Sequence, residues 1–332
     1  MSRWMLFAPI LGVFIALLVI ANIATAQAAD GETVRYKGYG PQNIADIYQG
    51  RWSVSEVGLN GELRLPAGEG PFPVVVLQHG SGHIRHLSNW YSYVIPALRK
   101  AGIGAFIADS YGGRNISGTG GDQRQLSKAA RVVDALMALK ALSTHARFDA
   151  GRVGVTGYSF GGIVAIETAN RRTVEAVLGT NLRFAAHLPV YPSCGAQHEK
   201  IDMTGAPMHF LLGEDDDYTP AKFCLTYLPK LQAAGVPATF EVYPGVGHAF
   251  VNITDRYLDN AATFNKCGVG PITAEGYHVV GGILEKGKSW SEFVVAAYGV
   301  CGSRGASLKG TWASRKKARD DTVAFFTKTL NP

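Results

Sequence analysis

The sequence predicts an α/β protein, a mostly parallel central sheet with helices on both faces. Three observations carry that prediction. Short apolar, β-like runs alternate with segments of helical period along most of the chain. The run Pro73–Leu77 is apolar at every position and stops at Gln78-His79-Gly80-Ser81-Gly82, as a strand buried on both faces would. Finally, 332 residues, 47% of them hydrophobic and 17% charged, are enough to build one large core and argue against disorder.

The elements follow in order. Short β-like runs fall near Arg51–Val57 and Glu62–Leu65, ahead of the buried strand at Pro73–Leu77. A helix is expected over Asn89–Ala101, a strand over Ile103–Ala108, and a Gly-rich loop over Tyr111–Gly121. A helix with apolar positions at helical spacing follows over Leu126–Leu142. Then come a strand at Val153–Thr156, a helix at Phe160–Asn170 and a strand at Ala185–Tyr191. The rhythm continues with a strand at Met208–Leu212, a helix at Ala221–Ala234, a strand at Thr239–Tyr243 and a last helix at Lys317–Thr329. Residues 250–312 break it. They are rich in Gly and Tyr without a clear period, and are expected to be an insertion, either a lid or plain surface loops.

The first residues read differently from the rest. Arg3 is the single charge before Asp30, Met5–Ile20 is almost wholly apolar, and Ala24-Thr25-Ala26 and Ala26-Gln27-Ala28 offer small-residue cleavage sites. This order is that of a secretory signal peptide, so residues 1–28 are set apart from one domain at 29–332. An uncleaved anchor helix is the alternative, against which the apolar stretch is shorter than the ~20 residues of a comfortable bilayer span, and no stable membrane association is expected after cleavage. The net charge of +6 is scattered, Arg315-Lys316-Lys317 being the one short run, and it argues against a nucleic-acid surface. Cys194, Cys224, Cys267 and Cys301 all lie in the exported part, where disulfides form. Of the three full pairings, Cys194–Cys224 with Cys267–Cys301 is the working expectation, against buried thiols as the alternative. Asn115-Ile-Ser117 and Asn252-Ile-Thr254 match the glycosylation pattern, which matters only in a host that glycosylates.

The strongest local signal is Gly157-Tyr158-Ser159-Phe160-Gly161-Gly162, lying between an expected strand and an expected helix. In that context G-x-S-x-G sets a serine on a tight strand-to-helix turn with its hydroxyl exposed above the sheet. A serine hydroxyl needs a base, and on this architecture the partners follow in the order acid, then histidine. Gly213-Glu214-Asp215-Asp216-Asp217-Tyr218-Thr219-Pro220 follows one expected strand, and Gly245-Val246-Gly247-His248 follows the next. Taken singly, the acidic run also reads as a solvated turn or a calcium site, and His248 as an exposed loop residue. His79, His83 and His86 fall in the loop after Leu77, without the helix face or carboxylates of a usual metal site, so no metal is expected.

On these residues the chain resembles the dienelactone hydrolase family of α/β-hydrolases, over roughly Pro73–Phe250 and the final helix. Asp109-Ser-Tyr-Gly-Gly-Arg114 and Tyr191-Pro-Ser-Cys194 also resemble family segments. The resemblance implies Ser159 as nucleophile, His248 as base and Asp216 as the acid. The family spacing from a preceding glycine and to a following proline selects Asp216, with Asp215 and Asp217 left open. It also implies an oxyanion hole built from the N–H of Phe160 and the loop at Gly80, Ser81 and Gly82. His79, Tyr158 and Arg114 are candidate substrate contacts. Arg114 lies near a family arginine that meets a substrate carboxylate, with a surface arginine as the alternative.

Two departures matter. Dienelactone-cleaving members use a cysteine nucleophile where this chain has Ser159, and a glutamate where it has His79. The expectation is therefore a small-molecule ester or lactone as substrate, cleaved without a cofactor by an exported enzyme. An acyl-peptide or amide hydrolase, or a binding protein that retains the fold without catalysis, is the alternative. Oligomeric state is not legible.

Overall fold

The computed structural model describes Met1 and residues 31–331, so all of the expected leader beyond Met1 lies outside the described residues. Its centre is an eight-stranded sheet in the order β1-β2-β4-β3-β5-β6-β8-β9. The strands are β1 (Glu32–Gly38), β2 (Val57–Arg64), β3 (Phe72–Gln78), β4 (Gly104–Asp109), β5 (Phe148–Tyr158), β6 (Ala186–Val190), β8 (Met208–Gly213) and β9 (Ala238–Tyr243). From β4 across to β9 every neighbouring pair is parallel. β1 and β2 join at the edge by antiparallel pairing.

Alternation along β3 shows why the sheet needs cover on both sides. Val74 and Val76 pack with Val132, Val133, Leu136 and Leu139 of α3 (Lys128–Leu142). Val75 and Leu77 point the other way, to Trp90, Val94 and Leu98 of α2 (Ser88–Lys100) and Phe326 and Leu330 of α8 (Trp312–Leu330). With period two and both faces covered, the strand reads as an unbroken apolar run. The first cluster also holds α1 (Ile44–Tyr48), α4 (Phe160–Glu167) and α5 (Arg171–Leu178), while α6 (Ala221–Ala233) packs beside β8 and β9 in a third.

Most expected elements are present with ends shifted by a few residues. The early β-like runs are the largest discrepancy, since Arg51–Ser53 carry no strand and one continuous β2 covers Val57–Arg64. The expected helix Phe160–Asn170 ends at Glu167, and Asn170 instead caps α5, its side chain accepting from the Thr173 N–H.

Residues 250–312 hold regular structure. β10 (Thr254–Thr263) pairs antiparallel with β14 (Ser303–Gly310), and β12 (Val279–Val280) with β13 (Ile283–Leu284). β11 (Gly270–Ile272) runs parallel to β7 (Ala196–His198). α7 (Trp290–Cys301) opens with a capping box, in which Ser289 and Glu292 satisfy each other's backbone N–H groups. This segment is fastened over the carboxyl ends of the central strands. The Trp290 indole donates to the Gln123 carbonyl (2.7 Å), and the Ser307 N–H donates to the Asp217 carboxylate (2.8 Å). Both expected disulfides are present: Cys194–Cys224 is buried, and Cys267–Cys301 ties the end of α7 to the turn after β10. No helix among the described residues is long and apolar enough to cross a membrane.

Candidate active site

Ser159 is the residue between β5 and α4, and its backbone is held at φ 56° and ψ −115°, which side chains other than hydrogen disfavour. Two neighbouring glycines make that turn possible. A Cβ on Gly157 would lie 1.9 Å from the Gly161 carbonyl oxygen, and one on Gly161 would lie 2.2 Å from that of Gln78. Phe160 occupies the first position of α4, where a helix has no internal acceptor for the N–H.

The loops after β8 and β9 bring two further groups to the same point. His248 Nε2 lies 2.9 Å from Ser159 Oγ, and His248 Nδ1 lies 2.8 Å from Asp216 Oδ2. Asp216 is buried, and its other oxygen accepts the N–H groups of Tyr218 (2.9 Å) and Thr219 (2.8 Å). Thr219 adds a hydroxyl between the pair, 3.0 Å from both Asp216 Oδ2 and His248 Nδ1. The imidazole is flanked by the rings of Tyr191 and Tyr218 at 4.9 and 4.8 Å. The neighbouring aspartates are engaged elsewhere: Asp215 pairs with Lys309 on the surface, and Asp217 receives Ser307.

The other expected residues divide. Ser81 borders both cavities that meet at Ser159, and Gly80 and Gly82 border one of them. His79 does not reach substrate space. It is fully buried, with Nδ1 donating to the carbonyls of Gly80 (2.8 Å) and Gly82 (3.1 Å) and Nε2 accepting the Ser110 N–H (3.3 Å). Burial, reinforced by the charge of Arg131, holds its pKa well below the usual histidine range, so the neutral ring braces the loop. Arg114 is likewise not brought to the site, and it is not a surface residue. It forms a bidentate pair with buried Asp134 (2.8 and 2.9 Å) and donates to the carbonyls of Ser110 and Tyr39. Tyr158 is buried among Trp90, Tyr91 and Tyr191 and contributes to the wall of the open groove.

Two contributors escape a reading of the sequence. Arg131 is fully buried on α3, donates to the carbonyls of His79 and Gly80, and lies over the Phe160 ring at 4.8 Å. It clamps the loop after β3 at His79 and Gly80. Thr219 is the other, hidden inside a segment read only for its acids.

Ser159 sits where two spaces meet. One is an apolar cavity of about 150 Å³, walled by Phe160, Ile163, Phe223, Phe264, Phe293 and Ala297, with part of its wall supplied by α7. The other is an open groove of about 600 Å³ bordered by His83, His86, His248, Tyr257 and Asn252. His248 borders the groove and is not part of the inner wall.

Comparison with known proteins gives a consistent family. The family model described as "Dienelactone hydrolase family" matches residues 59–266. A Bradyrhizobium protein named "Probable 2-oxo-3-(5-oxofuran-2-ylidene)propanoate lactonase" is 25% identical over 226 residues, covering 62% of this chain and 87% of that one. An Arabidopsis thaliana protein named "Probable carboxylesterase SOBER1-like" is 28% identical over 144 residues, covering 43% of this chain and 53% of that one. Among solved structures, m3DLH aligns with TM-score 0.54 at 16% identity, covering 90% of this chain and 98% of that one. A dienelactone hydrolase-like promiscuous phosphotriesterase from metagenomic libraries aligns with TM-score 0.50 at 14% identity, over 90% and 100%. At such identities the two structures speak for the fold alone.

Proposed function

The chain belongs to the dienelactone hydrolase family and is an ester or lactone hydrolase, and we propose that it works as an exported serine enzyme through an acyl-enzyme intermediate. The observation that carries this reading is the continuous contact from Ser159 Oγ through His248 to buried Asp216, at 2.9 and 2.8 Å.

In this reading Ser159 Oγ attacks the carbonyl carbon as His248 Nε2 takes its proton. Asp216 fixes the tautomer that carries a proton on Nδ1 and stabilises the imidazolium. The negative oxygen is received by the N–H of Phe160 and one from the loop at Gly80–Gly82, of which Ser81 borders both cavities. When the carbon–oxygen bond to the alcohol breaks, His248 returns the proton to the leaving oxygen. Water then attacks the acyl-serine, losing a proton to His248, and Ser159 is restored as the acid departs.

The two spaces divide the substrate. The leaving oxygen must meet His248, which borders only the groove, so the alcohol part lies there. The acyl part is left with the apolar cavity beside Phe160 and Ile163. Support for export comes from the leader pattern at residues 1–28 together with two disulfides.

The test is to express residues 29–332 with and without Ser159→Ala and follow nitrophenolate release from short-chain p-nitrophenyl esters. Turnover that disappears in the variant is the expected result. Equal activity in the two proteins, or silence in both, would count against the serine mechanism.

A further inference from the structure

The apolar cavity beside Ser159 ends on charge. Lys128 and His278 both border it, although the rest of its wall is largely aromatic and aliphatic. Behind them lies a buried network drawn from α3, α4, β7 and the inserted segment. Lys128 Nζ donates to Glu167 Oε1 (3.1 Å) and to His278 Nε2 (2.6 Å), and His198 Nε2 lies 2.8 Å from Glu167 Oε2. Glu285 accepts the His278 N–H (2.9 Å). All five side chains belong to residues at most 8% exposed. A lysine with only shape to provide would be a costly choice at such a place.

An ammonium carries three N–H donors, and two are engaged here. The third is available to whatever fills the cavity. The charge balance then says what that is. Burial alone would push the Glu167 carboxyl upward, but Lys128, with His198, holds it well below its usual range, so Glu167 is the counter-ion of Lys128. Burial and the neighbouring ammonium keep His278 neutral. Glu167 thus already balances Lys128, and a carboxylate arriving in the cavity would bring a second negative charge beside Glu167. A neutral acceptor would complete the ammonium without that cost.

We propose that Lys128, set in place by Glu167 and His278, is a specificity determinant that selects acyl groups carrying a neutral hydrogen-bond acceptor, a ketone or ether oxygen, at the end remote from the ester. This deepens the serine-hydrolase reading and rests on it.

The test compares kcat/KM for p-nitrophenyl oxoacyl esters (4-oxopentanoate, 5-oxohexanoate and 6-oxoheptanoate) with their methyl-branched isosteres, in which a methyl group replaces the ketone oxygen. The monoester of glutaric acid supplies a carboxylate end, and the acetate ester is too short to reach Lys128. At least one oxo ester should exceed its isostere by about tenfold or more, the size expected for one hydrogen bond to a charged donor. Lys128→Met should abolish that preference while acetate turnover persists. Because that change leaves Glu167 buried without its partner, Lys128→Met with Glu167→Gln serves as the second variant. Acetate turnover with no oxo preference at any length would overturn the inference and leave the serine reading intact, as would a preference for the glutarate monoester. A preference that survives in the folded double variant would overturn it as well. Silence toward acetate would remove the serine reading and the inference together.

Discussion

Asp215, Asp216 and Asp217 are chemically identical neighbours with three different fates. Asp215 meets Lys309 in solvent, Asp217 receives a backbone N–H from β14, and Asp216 alone is buried against His248. Asp216→Asn should lower kcat by roughly a thousandfold to ten-thousandfold with little change in KM, since the amide can hold the wrong imidazole tautomer. Asp215→Asn should stay within about twofold, because an exposed pair contributes at most ~1 kcal/mol. Steady-state kinetics on one p-nitrophenyl ester separates them, and comparable losses in both would reassign the acid. The sequence could favour Asp216 only through the resemblance, because its spacing from Gly213 and to Pro220 matches the family pattern. It could not place His79 or Arg114. The partners of Arg114 are Asp134, 20 positions on, and the Tyr39 carbonyl, 75 positions back, and only the folded sheet brings them together.

Elements were legible where burial imposes a period. β3, β4 and β6 are buried almost throughout, and α3 buries most of its length, so their apolar runs announced them. β10 is exposed at most positions until Ala261, and β12 and β13 have two residues each, so the strands of residues 250–312 carry no period strong enough to read. What holds this segment in register is covalent as well as hydrogen-bonded. Cys267–Cys301 closes a loop of 34 positions, for which chain entropy alone suggests about 3–4 kcal/mol. Both of its cysteines are partly exposed, whereas Cys194 and Cys224 are at most 1% exposed. Graded thiol reductant followed by alkylation and mass spectrometry should therefore label Cys267 and Cys301 first. Cys267 borders the apolar cavity beside Ser159, so, if the acyl part lies there as proposed, KM for longer acyl esters should rise at that stage while acetate turnover is retained. Simultaneous labelling of all four cysteines would show that the segment is no less protected than the core.

At the scale of the whole molecule, the network behind the apolar cavity joins α3, α4, β7 and the inserted segment, and it links the stability of the protein to pH. Burial raises the Glu285 carboxyl from an ordinary 4.5 to about 7. The folded protein therefore holds a proton there between about pH 4.5 and 7 that the unfolded chain has released. With more protons bound in the native state, stability falls as pH rises through that window, and the full cost is present above pH 7. A shift of this size corresponds to at most ~3 kcal/mol. His187 acts in the opposite sense, since burial lowers it to about 4 and stability is lost as pH falls from 6.5 toward that value. The overlap of the two windows hides either one in a simple pH–Tm curve, so the comparison must be between variant and parent. Glu285→Gln keeps an oxygen to accept the His278 N–H but cannot ionise. Its Tm relative to the parent should rise by a few degrees between pH 5 and pH 8 in calorimetry. A difference that stays constant across that range would mean Glu285 remains ionised in the folded protein, and the negative charge behind Lys128 would then be larger than Glu167 alone supplies.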